Sequence, residues 1–282
     1  MKTLIYRIKA ISNLHVGSGE ANFGVVDNLI QRDAATGIPA IHASSLKGAL
    51  REHCEANGMA PYILRYIFGS DAKDNKSHEV GHFRFFDANL LTLPVRSDKS
   101  PYISATCPLL VKDYLSKRKI IAGSDSINLT ILNKATQGIP KVTNQSHNNA
   151  LIEDFEQQAV WIGAENDKEK EELKQLKQEV LLSTSFALLH DEDFGRLCNN
   201  DHLPVIARNN LAAGHENLWY EQVLPRFSTL CFFVLVPDDA PEEAKLPIEN
   251  TLVQIGANAT VGYGYCQIQL VNQSTDKTSG KE

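Results

Sequence analysis

Residues 3–10 set Leu4, Tyr6, Ile8 and Ala10 on one side of a two-residue period and Ile5, Arg7 and Lys9 on the other. That alternation predicts a half-buried strand. It runs into His15-Val-Gly-Ser-Gly19, where glycine permits positive φ and close backbone approach. Residues 23–32 predict a second extended segment, 34–37 a turn, and Pro39 a restart. The period then lengthens. Leu46, Ala49, Leu50 and Cys54 recur at helical spacing behind Ser44 and Ser45, either of which suits an N-cap. Gly58 ends that helix, and residues 61–68 predict a second one closed by Gly69.

Further along, residues 82–91 predict a strand, 107–118 a short helix from Pro108, and 181–189 a buried strand. Asp191 or Asp193 caps a short helix reaching Cys198. Residues 203–209 and 217–223 are extended around a polar tip, which predicts a β-hairpin. Residues 229–236 form a strongly apolar strand. Residues 241–255 fit a helix with an acidic first turn, reset near Pro247. A glycine-rich loop at 256–264 leads to a last strand at 265–271. Residues 70–81 are polar, and 122–150 have weak periodicity and are expected to be an insertion outside the core. Residues 165–179 alternate charge, as a solvated helix with i, i+4 pairs does.

Stripped of insertions, the order is strand, helix, strand, strand, helix, strand. This predicts an α+β class of ferredoxin-like, RRM-like arrangement. The expected organisation is one domain over 1–271, with inserted segments at about 92–180 and a disordered tail at 272–282. In that arrangement the glycine loop lies near the N-terminus of the first helix.

Composition narrows the class. With 43% hydrophobic residues the 282-residue chain can bury a sizeable core. No apolar run is long enough to span a membrane, and the N-terminus lacks the pattern of a signal peptide. The five cysteines are far apart, with no zinc or disulfide spacing, so reducing cytoplasm is the expected compartment. The net charge of −6 is uneven. Residues 1–70 hold seven Lys/Arg against five Asp/Glu, and residues 184–250 hold four against eleven. The first part can meet a phosphate backbone, and the second can meet a basic partner or keep the chain in solution.

Several residues carry candidate chemistry. Asp27 is a carboxylate in an apolar segment beside glycine turns. It can bind a metal, accept a proton from a hydroxyl, or simply cap a turn. Ser44, Ser45, Lys47 and Arg51 combine a helix N-terminus, hydroxyl donors and two cations on one face, a set suited to phosphate. The bland alternative is a capped, solvated helix. His15 precedes a glycine turn and is either a general base or a structural or RNA-contacting histidine. Tyr220 and Glu221 either position a substrate strand or support the hairpin, and Arg208 is a candidate backbone contact. Gly256, Gly262 and Gly264 allow close approach of a phosphate, although a glycine-rich loop alone is a weak signal.

The stretch GVVDNLIQRDAATGIPAIHASSLKGALR, with IFG at 67–69, FFDANLLTLPV at 85–95, DEDFGRLC at 191–198, LWYEQVLP at 218–225 and the loop at 256–264, resembles the RAMP proteins of CRISPR systems. Within them it is most similar to the backbone subunit of the type III-B Cmr effector complex. SSLKG marks only the superfamily, whereas GVVDNLIQR together with LWYEQVLP is more specific. The resemblance implies an RRM-like palm with inserted lid segments and a thumb, here the hairpin at 203–223. It implies copies of the chain polymerised on guide RNA, other Cmr subunits including the small helical one, and no membrane. It implies cleavage of target RNA at regular intervals, opposite a nucleotide that each thumb displaces. The required aspartate is Asp27, acting with a divalent metal, Mg²⁺ or Mn²⁺, for which Asp27 is the candidate ligand. Relatives often carry acidic residues in the glycine loop where this chain has Ala257-Asn-Ala-Thr260.

Three other readings compete with an endoribonuclease subunit. One is a non-catalytic filament scaffold. Another is a stand-alone guide-processing endonuclease using His15. The last is a generic RRM-like module, which predicts stacking aromatics in an RNP pattern that this sequence lacks.

Overall fold

The first strand, β1 (Lys2–Ala10), is paired on both edges in the computed structural model, which describes residues 1–19, 24–70, 79–124, 126–181, 183, 185–210 and 217–271. It is followed by β2 (Ala40–Ile41), α1 (Ala43–Ala56), α2 (Pro61–Phe68), β3 (Arg84–Phe85), β4 (Ala88–Val95), β5 (Ile103–Thr106) and α3 (Pro108–Ala122). Then come β6 (Lys141–Val142), β7 (Val160–Trp161), α4 (Asp167–Gln175), β8 (Ala187–Leu188) and α5 (Asp191–Leu197). The chain closes with β9 (Val205–Asn210), β10 (Asn217–Gln222), β11 (Thr229–Val236), β12 (Leu252–Gln254) and β13 (Tyr265–Leu270). Among the described residues one sheet runs β12-β13-β1-β11-β4-β5-β8-β6-β7, with β2 added to β4 and β3 to β11. Its pairs are antiparallel except β5–β8 and β6–β7. β9 and β10 form a separate antiparallel hairpin, as the sequence predicts, whose tip at 211–216 lies outside the described residues.

β1 is buried on both faces, not one. Tyr6 and Ile8 face a core with Leu46, Leu50 and Cys54 of α1 and Leu64, Ile67 and Phe68 of α2. Tyr6 stacks on Phe232 across the ladder at 5.1 Å, and burial raises its hydroxyl pKa to about 12. Ile5 faces a second core with Leu91, Val111, Phe233, Leu129, Ile131, Leu132, Val180 and Phe186. Arg7, also buried, donates to the Val180 carbonyl and lies over the Tyr114 ring. The stretch 122–150 therefore supplies core residues, contrary to expectation. Leu129, Ile131 and Leu132 sit in short turns that show no period and are buried in the second core, while Val142 and Ala150 join the first.

Other expectations are corrected by the backbone. Residues 241–255 form turns and β12, not a helix. Ala244, Leu246 and Ile248 are buried at every second position, and prolines at 241 and 247 interrupt any helical run. The strand expected at 181–189 shrinks to β8. The strand expected at 82–91 splits into β3 and β4, which reaches Val95, so the boundary near 92 falls inside a buried strand. α3 runs past 118 to Ala122. The charged helix α4 is solvated on most of its surface, but Glu172 is buried and accepts from Thr130 Oγ1 and the Ile131 amide. The expectation of a disordered tail at 272–282 falls outside the described residues.

The helix caps also come from elsewhere in the chain. His42, not a serine, is the N-cap of α1, and Asp87 Oδ1 accepts the Ala43 amide at 2.7 Å. Asp191 lies inside α5, which His190 caps, and its Oδ1 accepts the Leu109 amide of α3 at 2.8 Å. Asp191→Ala is expected to cost about 1 kcal/mol and to lower the melting temperature by about 3 °C. Asp191→Asn, which keeps an acceptor, should melt near wild type. Thermal denaturation of both variants checks this.

Candidate active site

Asp27 sits on an exposed segment that runs between residues 14–18 and the hairpin. On one side Ser18 N donates to Leu29 O and Gln31 N to Val16 O, each at 2.8 Å. On the other, the amides of Asp27 and Asn28 both donate to Tyr220 O at 3.1 Å, and Gln222 N donates to Asn28 O at 2.9 Å. The Asp27 side chain closes the same ring, with Oδ2 accepting the Tyr220 amide at 2.7 Å. Neighbouring Val25 is 87% exposed, so the segment presents itself to solvent while its carboxylate is tied to β10.

Tyr220 contributes its backbone to this contact, and its side chain is exposed. Glu221 points the opposite way along β10 and is buried. Its Oε1 accepts Trp219 Nε1 at 2.8 Å, and its Oε2 accepts Asn258 Nδ2 at 2.8 Å and Arg208 Nη1 at 3.2 Å. Arg208 in turn lies over the rings of Trp219 and Tyr263, 5.7 Å from each centroid. Glu221 and Arg208 therefore join the hairpin base to the glycine loop. Asn258 faces the Glu221 carboxylate and offers it a donor.

His15 is buried. Its Nδ1 donates to Gln222 O at 2.6 Å, and its Nε2 lies 3.3 Å from where a Cβ on Gly17 would sit. The ring is held inside the structure, which favours the structural reading of this histidine over a general base. Its carbonyl accepts the Ala257 amide at 2.9 Å, bringing the glycine loop against residues 13–16. Gln31 ties the neighbouring residue 17 to α1, its Nε2 donating to Gly17 O at 3.2 Å and to Ser45 Oγ at 2.9 Å. Gly256 and Gly264 have positive φ and abut backbone atoms, whereas a Cβ on Gly262 would meet open space.

On α1, Ser44 is exposed and Ser45, Lys47 and Arg51 are half-buried. Burial, then the charges of Arg51 and Arg84, lowers the Lys47 pKa below its ordinary value. Arg51 Nη1 donates to Gly69 O at 2.6 Å.

The sequence reading passed over Gln222, Arg32 and Gln31. Gln222 is fully buried, and its Oε1 accepts the Ile30 amide and Arg32 Nη2. Arg32 also donates to Cys198 O and Asn200 Oδ1. These contacts lock the Asp27 segment between α5 and the hairpin. The available signal was a glutamine inside the apolar end of LWYEQVLP.

Among the described residues no group of three His, Cys, Asp or Glu side chains could hold a metal ion. Asp27 brings one carboxylate, already accepting an amide, and Glu221 already accepts three donors. Among the described residues the donor set at Asp27 does not fit a resident cation. No helix among the described residues is long and apolar enough to cross a membrane.

A pinned exposed carboxylate beside a projecting hairpin, mounted on a large mixed sheet, is an architecture with known counterparts. The RAMP superfamily profile matches residues 7–267, and the chain belongs to that superfamily. It is 28% identical to the CRISPR system Cmr endoribonuclease Cmr4 of Pyrococcus furiosus, over 96% of each chain. It is 31% identical to the CRISPR system CMR subunit Cmr4 of Saccharolobus solfataricus over 52% of this chain and 47% of that one. Among solved structures, oligomeric Cmr4 from Pyrococcus furiosus aligns with a TM-score of 0.72 at 21% identity, covering 97% of this chain and 99% of the other. A chain in the cryo-EM structure of the Type III-B Cmr-beta bound to cognate target RNA aligns with a TM-score of 0.75 at 23% identity, covering 96% and 98%.

Proposed function

We propose that this chain is the backbone subunit of a type III-B CRISPR effector complex, polymerising on guide RNA and cleaving complementary RNA at regular intervals. The four strands β13-β1-β11-β4, all antiparallel, serve as the ferredoxin-like palm, with β12 and turns in place of the second helix. The hairpin β9–β10 serves as the thumb. The observation that carries the reading is the bond between Asp27 Oδ2 and the Tyr220 amide. It makes the exposed carboxylate and the hairpin one unit, so RNA splayed by the hairpin is delivered to Asp27.

The chemistry follows from that placement. Splaying one nucleotide lines up its 2′-oxygen, the adjacent phosphorus and the departing 5′-oxygen. Asp27 accepts the 2′-hydroxyl proton, the 2′-oxygen bonds to phosphorus, and the bond to the 5′-oxygen breaks, that oxygen taking a proton from water. α1 holds the guide backbone without reading its sequence. Burial of His15, with its Nδ1 committed to Gln222 O, is the observation against the guide-processing alternative.

The test is cleavage of end-labelled complementary RNA by the reconstituted complex, with Mg²⁺, with Mn²⁺ and with a chelator. Regularly spaced products ending in 2′,3′-cyclic phosphate are expected. A 2′-deoxy substitution at one scissile nucleotide should remove one band and leave the others. Persistence of that band would remove the 2′-oxygen from the mechanism, and tight binding without any cleavage would make the chain a scaffold.

A further inference from the structure

Three cations, Lys47, Arg51 and Arg84, gather beside α1, and none has a carboxylate partner among the described residues. Lys47 and Arg51 lie one turn apart on the same helix face. Arg84 comes from β3, on which α1 packs. Its Nη1 donates to Gly81 O at 2.8 Å and to His82 O at 3.3 Å.

The two arginines are brought together by a backbone crossing. Arg51 bonds the Gly69 carbonyl and Arg84 the Gly81 carbonyl, and these two glycines touch. A Cβ on Gly69 would lie 2.9 Å from Gly81 N, and one on Gly81 would lie 2.5 Å from Ile67 O. Beside the crossing Tyr66 and His82 stack at 4.2 Å and 8°, and the His82 amide donates to Tyr66 O at 2.8 Å. The crossing cannot relax without losing these contacts, so the guanidinium groups are held where they are.

Like charges so placed repel one another, and among the described residues none of the three forms an ion pair; the Asp87 carboxylate at the start of α1 is bonded to the Ala43 amide. Each arginine commits one terminal nitrogen to carbonyls, while a guanidinium has five N–H donors. The remaining fork suits a phosphate oxygen. We propose that Arg84 completes a three-cation clamp with Lys47 and Arg51 that grips one backbone phosphate of single-stranded RNA. The inference rests on the reading that α1 meets guide RNA, and adds a residue from a different element. The clamp binds phosphodiester charge and ignores base identity, as a subunit that accepts any guide requires.

The experiment is fluorescence anisotropy of the purified full chain with a short labelled oligouridylate across a salt series. Arg84→Gln is expected to weaken binding about tenfold at low salt. It should also flatten the dependence of log affinity on log salt by about 0.7, one phosphate contact on a single strand. Arg84→Lys should keep the salt slope and bind more weakly than wild type, because an ammonium lacks the fork. Melting curves accompany each variant. If Arg84→Gln unfolds, Arg84→Lys decides, and wild-type affinity in that variant overturns the clamp. Unchanged affinity and slope in Arg84→Gln, with binding lost in Lys47→Ala, removes Arg84 and leaves the α1 reading standing. If Lys47→Ala is also silent, or the wild type does not bind, both fall.

Discussion

Asp27→Ala is expected to abolish target cleavage in the reconstituted complex while guide and target binding persist. A positioned general base contributes about 10²–10⁴-fold to rate, so cleavage should fall by at least about a hundredfold. The side chain does two separable things. It presents an exposed carboxylate, and it accepts the Tyr220 amide at 2.7 Å. Alanine removes both. Asp27→Asn keeps an oxygen of the same reach for the amide but gives up the negative charge. Equal loss in both variants, with binding intact, assigns the chemistry to the carboxylate. Cleavage retained by asparagine and lost by alanine would make Asp27 a pin for the hairpin, with proton transfer carried elsewhere. Retention in both variants would sink the mechanism proposed here. Single-turnover rates on complexes with matched RNA occupancy separate these outcomes.

What could be read from the chain beforehand followed from local signals. The two-residue period at 3–10, the helical spacing of Leu46, Leu50 and Cys54, and the extended arms around 211–216 all appear as β1, α1 and the hairpin. Asp27 stood out through its motif. What failed locally depended on distant partners. Residues 241–255 look helical by their acidic start, yet Ala244, Leu246 and Ile248 pack with period two against a sheet face that a local window does not contain. Ile131 and Val142 sit in a turn and a two-residue strand too short to show any period; Ile131 is buried against β1 and β11, and Val142 lies on β6, which pairs with β7 and β8. Both serine caps were misjudged because Asp87, 44 residues away, supplies the acceptor. The site shows the same limit. The partner of Asp27 is 193 residues away in sequence, and Gln222 meets residues 15, 30, 32 and 200. No spacing rule connects those positions.

The glycine loop is the place where a small change should cost most stability. Gly264 has φ +79°, and a Cβ there would lie 2.1 Å from Ile255 O and 2.9 Å from Gln254 Nε2. Gly256 has φ +87°, and its Cβ would lie 2.3 Å from His15 O and 3.0 Å from Val16 Cγ2. The His15 oxygen cannot yield without loss, because it accepts the Ala257 amide at 2.9 Å, and residue 255 is tied to the same loop by its own amide, which donates to Gly264 O at 2.9 Å. Alanine at either position combines left-handed strain with a backbone clash. The expected cost is about 3 kcal/mol, or a melting temperature about 10 °C lower. Gly262 is the control within the same loop. Its φ is +84°, but its Cβ would meet nothing within 4 Å. Gly262→Ala should therefore cost about 1 kcal/mol. The same contrast bears on function, since Asn258 in this loop donates to Glu221 at the hairpin base. Gly264→Ala should loosen the hairpin and slow cleavage more than it weakens RNA binding. A Gly264→Ala variant that melts with wild type, or with Gly262→Ala, would show that the 255–264 backbone gives way readily. The loop would then be no anchor for the hairpin.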